Sequence, residues 1–139
     1  MYSIVKRFTF EAGHRLMNYD GDCGRLHGHS YVVEAELLDH RLDGVGFVVD
    51  FNELKASVRR WIDQTFDHKF LVRFDDPLVH APEVAHPSEL CVMEQNPTAE
   101  NIAELIRKWI VDWAHDTHPS VVVGTVVVHE TATGRAACS

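Results

Sequence analysis

The chain has 139 residues, 45% of them apolar and 24% charged, with a formal net charge of −8. That is the size of one ordinary domain, residues 1–139, built around a single core. The acidic balance, with no basic run longer than Arg59–Arg60, speaks against a nucleic-acid surface, which needs clustered Lys and Arg. No stretch reaches the about 18 apolar residues of a membrane span.

The N-terminal MYSIVKRFTFEAGH lacks the apolar block of a signal peptide and reads as strand. Within residues 3–11, Ile4, Phe8 and Phe10 share one parity, and Gly13 loosens the backbone before His14. Residues 27–38 form a clearer strand. His27, His29, Tyr31, Val33, Ala35 and Leu37 fall on one face, and Ser30, Glu34 and Glu36 on the other. Asp43-Gly44 predicts a hairpin into a third strand, FVVDF at 47–51. A helix follows, capped by Asp50 with Glu53 as in a capping box, and striped by Leu54, Val58, Trp61 and Ile62. Residues 72–95 read as a long irregular stretch with one short strand near Leu90–Met93. A second helix starts at Thr98. Its apolar stripe of Ile102, Leu105, Ile106, Trp109, Ile110 and Trp113 is the strongest helical signal in the chain. The last strand, 121–131, is apolar on both faces, so both are expected to be covered, one of them by another subunit. The order β-β-β-α-α-β predicts an α+β fold: an antiparallel sheet with two helices on one face.

Ten histidines are many for this length. His27 and His29, two apart on a strand, point the same way with backbones roughly 7 Å apart, so both imidazoles can reach one ion. His14, ending the neighbouring strand, is the best third ligand. Three His with an open fourth position make a catalytic Zn2+ arrangement, although imidazole also suits other divalent ions. The plain alternative is three ordinary histidines. A cupin-like motif, G-x5-H-x-H-x4-E over Gly21, His27, His29 and Glu34, is a further alternative. It conflicts with the parity of Glu34 and with the two helices. Cys23, Cys91 and Cys138 are an odd, widely spaced set, fitting reduced thiols in a cytoplasmic protein better than disulfides.

FTFEAGH, CGRLHGHSY, VVDFNEL, FDHKFL, NPTAEN and HET, in this order, resemble the 6-pyruvoyl-tetrahydropterin synthase family over nearly the whole chain. The compact C-x3-H-x-H form is most similar to its bacterial 6-carboxy-5,6,7,8-tetrahydropterin synthase branch. The resemblance implies a tunnelling fold, with sheets joined between subunits into a barrel, as trimers stacked into hexamers. It implies zinc on His14, His27 and His29, a catalytic thiol at Cys23 and an Asp-His pair at Asp67 and His68. It also implies a pterin-anchoring carboxylate at Glu130, with Thr98 near the pterin. The implied substrate is 7,8-dihydroneopterin triphosphate. The carboxy branch releases triphosphate and acetaldehyde and feeds 7-deazaguanine (queuosine) synthesis. The pyruvoyl branch keeps the three-carbon side chain.

The chemistry suits these residues. An open zinc binds adjacent hydroxyls as a Lewis acid. Cys23 removes a proton only as a thiolate, which a nearby dication favours; as a fourth zinc ligand it would instead close the site. Imidazole exchanges protons near neutral pH, so His68 suits a second shuttle, with Asp67 fixing its tautomer. Sequence neighbours do not automatically face each other, so that pairing needs a bend or a second subunit. The bland readings are a helix-end cap for Asp67, a solvated strand end for Glu130 and a plain helix cap for Thr98. A member that only binds pterin or stabilises an oligomer would not need Cys23, Asp67 and His68 together.

Two departures stand out. Residues 72–96 exceed the compact bacterial pattern and hold His80, His86 and Cys91, whose irregular spacing favours structural roles over a second metal site. The family's usual Lys before Glu-Thr is His129, expected to alter charge near the pterin end.

Overall fold

The computed structural model describes residues 1–139. Strands β1 (Tyr2–His14) and β2 (His27–Asp39) form a long antiparallel pair in which Tyr2 meets Asp39 and His14 meets His27. Helix α1 (Phe51–Leu54), a π-helical turn (Lys55–Arg59) and α2 (Arg60–Thr65) run on as one rod. Strands β3 (Lys69–Arg73) and β4 (Leu90–Met93) precede helix α3 (Ala99–Thr117), and β5 (Val122–His129) and β6 (Arg135–Cys138) close the chain. The sheet order is β4-β3-β1-β2-β5-β6. β3 pairs in parallel with both β1 and β4, while the other neighbours are antiparallel.

The expected antiparallel sheet under two helices is present, enlarged to a mixed sheet by β3 and β4. The strand expected at 47–51 does not form. The Asp43 carboxylate accepts from the N–H groups of Val45, Gly46 and Phe47 at 2.8–2.9 Å, so donors that a strand would pair outward are used locally. Val48 and Val49 still enter the core. Asp50 caps α1 through Asn52 N–H, but Glu53 does not complete a capping box; it reaches His118 at 2.8 Å. Strand β4 lies where expected. β6 was not anticipated, because RAAC alone is too short to read.

One face of the sheet is packed by the helices. Phe8, Phe10, Tyr31, Val33, Ala35, Leu37, Val126 and Val128 meet Leu54, Val58, Ile62, Ile102, Ile106 and Ile110 in one core. The α3 stripe follows the 3.6-residue period, and each fully buried Ile contributes about 2 kcal/mol. The opposite face is polar along β1 and β2, with Arg7 paired to Glu34 and Ser30 donating to Glu11 at 2.6 Å. No helix covers it within the chain, and β4 and β6 each leave an outer strand edge unpaired.

Candidate active site

The β1–β2 register sets the first part of the site. His14 and His27 are directly paired, and His29 lies two residues along the same face. His14 is 1% exposed, while His27 and His29 are half-buried. Their Nε2 atoms converge: His14 to His27 is 2.9 Å, and His29 to His14 is 3.1 Å. The tautomers are legible from the other ring nitrogens. His14 Nδ1 lies 2.8 Å from the Pro97 carbonyl, and His27 Nδ1 lies 2.7 Å from the Arg25 carbonyl. A carbonyl only accepts, so both Nδ1 atoms carry the proton. When neutral, His14 and His27 aim two Nε2 lone pairs at each other, an arrangement that repels unless a cation sits between them. Burial, foremost, pushes the His14 imidazole below its ordinary range and keeps it neutral. The donor set thus fits a divalent metal.

Glu130 joins this cluster. Val32 pairs with His129, so the next residue falls beside Tyr31 on the core face. Its Oε1 lies 2.9 Å from His29 Nε2 and 3.2 Å from His14 Nε2. Ligand atoms of His14, His27, His29 and Glu130 all lie within 4.8 Å of one another, and Cys23 is not in that set. Glu130 was expected at the pterin rather than beside the imidazoles. Its place depends on the β2–β5 register, which no local pattern announces. The adjacent His129 points to the opposite face, with Nε2 3.5 Å from Glu34. Glu34 is itself paired with Arg7 on that face and is absent from the cluster, which removes the cupin-like arrangement.

Cys23 sits half-buried in a 3-10 turn, Asp22–Gly24, with a free thiol. Tyr31 packs edge-on against His14 and His29. The phenol is 0% exposed and lies 3.2 Å from His14 Nδ1. Burial, then the charges of Glu130 and a Cys23 thiolate, push its ionisation far above the ordinary phenol range. Tyr31 thus lies against His14 and His29 at the edge of the cluster, a position the sequence reading did not use. Its signal was the parity it shares with His27 and His29.

The Asp67–His68 pair forms by a bend. His68 has φ +56°, in the left-handed region that a non-glycine residue rarely occupies. The backbone of Glu11 on β1 holds the bend: His68 N–H donates to Glu11 O at 2.6 Å, and Glu11 N–H donates to Asp67 Oδ1 at 2.9 Å. Asp67 Oδ2 lies 2.9 Å from His68 Nδ1. Burial alone would raise the Asp67 carboxyl. The Glu11 N–H and the His68 ring outweigh it, and the group lies below the usual carboxylate range. An ionised Asp67 accepts a hydrogen bond from His68 Nδ1–H and leaves Nε2 facing solvent. His68 lines a hollow of about 550 Å3 that His27 and His29 also border, together with Glu11, Ser30 and Phe70. Glu11 and Ser30 belong to the helix-free face, whereas His14, His27 and His29 share the core face with Phe10 and Tyr31. Within one chain, neither Asp67 nor His68 belongs to the group whose ligand atoms converge with the imidazoles, although His68 borders the same hollow as His27 and His29.

Thr98 caps α3, its hydroxyl accepting from Asn101 N–H at 3.3 Å, and the preceding Pro97 carbonyl orients His14. The long 72–96 segment is well packed. Val72, Leu78, Ala85 and Leu90 form a second small core, and fully buried Asp76 takes both Arg15 Nε and Nη2 at 2.7 and 2.5 Å. His80, His86 and Cys91 do not gather around any common point. His86 instead caps a 3-10 turn, and Cys91 is buried, its thiol pushed up to about 11.

Comparison with known proteins agrees with this arrangement. Residues 3–139 match the family model described as 6-pyruvoyl tetrahydropterin synthase. A 6-carboxy-5,6,7,8-tetrahydropterin synthase of Rickettsia felis is 36% identical over 116 residues, covering 79% of this chain and 80% of its own. A probable 6-carboxy-5,6,7,8-tetrahydropterin synthase of Halobacterium salinarum is 38% identical over 122 residues, covering 86% and 75%. Among solved structures, an uncharacterized protein from Wolinella succinogenes superposes with a TM-score of 0.85 at 26% identity, covering 99% of this chain and 97% of its own. Plasmodium vivax 6-pyruvoyltetrahydropterin synthase shares the fold, with a TM-score of 0.76 at 20% identity and coverage of 99% and 96%. The match of nearly every residue to one family model, on the fold that family shares, leaves one assignment: the chain belongs to the 6-pyruvoyl tetrahydropterin synthase family of enzymes.

Proposed function

We propose that the protein converts 7,8-dihydroneopterin triphosphate to 6-carboxy-5,6,7,8-tetrahydropterin, releasing acetaldehyde and triphosphate, with Zn2+ held by His14, His27 and His29. The observation that carries this reading is the convergence of the three Nε2 atoms, two of them with their tautomers fixed by carbonyls. The names of the curated relatives support the carboxy branch. When bound, the dication supplies Lewis acidity toward the side-chain hydroxyls and favours a thiolate nearby. The chain supplies the rest. Cys23, as thiolate, takes a proton from the substrate side chain. His68 presents Nε2 as a second proton shuttle, with Asp67 holding Nδ1–H. Glu130 accepts paired N–H groups of the amino-pyrimidinone ring, and Thr98 borders the same end. The product feeds 7-deazaguanine synthesis, and three free thiols suit the cytoplasm.

His68 stands outside the imidazole cluster of its own chain, which supports taking the His68 that serves a given Cys23 from another copy. Open edges at β4 and β6 suit sheet-to-sheet joining in a trimer or hexamer. One observation favours a second reading: Glu130 already lies within hydrogen-bond range of His29 and His14. As a fourth ligand it would close the centre and make the ion structural.

The deciding experiment is turnover of dihydroneopterin triphosphate by the zinc-loaded protein. Acetaldehyde release is expected. A retained three-carbon side chain would assign the pyruvoyl reaction instead, and no turnover by folded, metal-loaded protein would leave only a binding role.

A further inference from the structure

The segment between His14 and Cys23 is held by residues that carry no catalytic chemistry. Leu16 N–H donates to the carbonyl of Cys23 at 2.8 Å, which closes the segment into a loop. The side chain of Asn96 then grips the loop at one residue, with both of its polar atoms. Oδ1 accepts from Met17 N–H at 2.8 Å, and Nδ2 donates to Met17 O at 2.8 Å, the pairing a neighbouring strand would offer. Asn96 is itself fixed, since its carbonyl accepts from Asn101 Nδ2 and from Thr98 N–H, both at 2.8 Å. The next carbonyl, Pro97 O, orients His14. One turn at the head of α3 therefore registers the thiol loop and a metal-cluster imidazole against the same rigid element.

We propose that Asn96 is a positioning residue, whose two-point grip on Met17 sets the distance between the Cys23 thiol and the imidazole cluster. This rests on the reading of Cys23 as the proton-abstracting group. The reach of Asn matters. Asp in its place keeps the acceptor but sets a carboxylate oxygen against Met17 O, and Ala loses both bonds. Neither touches a metal-cluster side chain, so metal content should not follow the change.

The test compares Asn96→Ala and Asn96→Asp with the parent, each zinc-loaded. Metal per chain is expected to be unchanged. With the loop released, kcat should fall by about 100-fold in Asn96→Ala with KM little changed, because a displaced reacting group costs rate rather than binding. Asn96→Asp should fall between. Alkylation of Cys23 by iodoacetamide, followed on its own peptide by mass spectrometry, should rise about fivefold as the loop opens locally. Parent-like kcat and alkylation in both variants would overturn the proposal, as would loss of metal in parallel with loss of rate. A Cys23→Ser protein measured alongside separates the two ideas. Full turnover in Cys23→Ser removes the role of the thiol, whereas inactive Cys23→Ser beside parent-like Asn96→Ala removes only the positioning role.

Discussion

His14 Nδ1 stands 2.8 Å from the carbonyl of Pro97, 83 residues away in the chain. That contact decides which nitrogen of a buried imidazole is free, and it ties the metal cluster on β1 to the start of α3. Chelation should therefore loosen more than the cluster. Metal-free protein is expected to melt at a lower temperature than the zinc-loaded form. The difference approaches about 4 kcal/mol at a thousandfold excess of zinc over its Kd. His27→Ala should abolish that difference, and a calorimetric scan with and without zinc checks it.

Glu130 separates two chemistries. As the pterin anchor, Glu130→Gln should keep one zinc per chain and raise KM for the pterin. As a fourth ligand, the same change should weaken zinc by at least tenfold. Zinc titration of the variant, read against its KM, distinguishes them.

The bend at His68 gives a variant with intact structure. Asn tolerates left-handed backbone, so His68→Asn should stay within about 1 kcal/mol of the parent by denaturant unfolding. Its kcat should fall by about 100-fold or more, since the proton shuttle is gone. Asp67→Asn should act likewise, by releasing the Nδ1–H tautomer.

A site that draws Cys23 and His68 from different copies makes complementation possible. Cys23→Ala and His68→Ala proteins should each be inactive alone. Dissociated together and reassembled, they should recover turnover, because some sites then draw a sound residue from each copy. If the mixture stays inactive although mixed oligomers are seen by mass spectrometry, the site lies within one chain.

Acid stability should report Asp76. Burial alone would raise its carboxyl, but the Arg15 guanidinium and Leu78 N–H hold it below the ordinary 3.8. A depressed carboxyl contributes stability that is present above pH 3.8 and lost as pH falls through the folded value. Asp76→Asn should cost about 3 kcal/mol at neutral pH by leaving Arg15 unpaired. It should also flatten the loss of stability below pH 4, which urea unfolding against pH would show.

Local pattern carried much of this protein. The alternation in 27–38 placed His27, His29 and Tyr31 on one face, and the β1–β2 register keeps them there. The 3.6-residue stripe of α3 and its Thr98 cap formed as read, because both rest on neighbours within a turn. FVVDF also reads as a strand, yet Asp43 draws in the backbone before it and Asp50 starts a helix. A competing hydrogen bond, not propensity, decided that segment.

The sequence by itself determined which side chains could hold an ion and which helices could cover a sheet, since period-2 and period-3.6 spacing are properties of adjacent residues. Only the tertiary structure decided that Glu130 joins the imidazoles and that a left-handed bend at His68 pairs it with Asp67. It alone showed that Asn96 grips the loop of Cys23. Each of these depends on which strands pair and in what register, and on partners far apart in the chain, such as Glu11 with Asp67, 56 residues on, and Val32 with His129, 97 residues on.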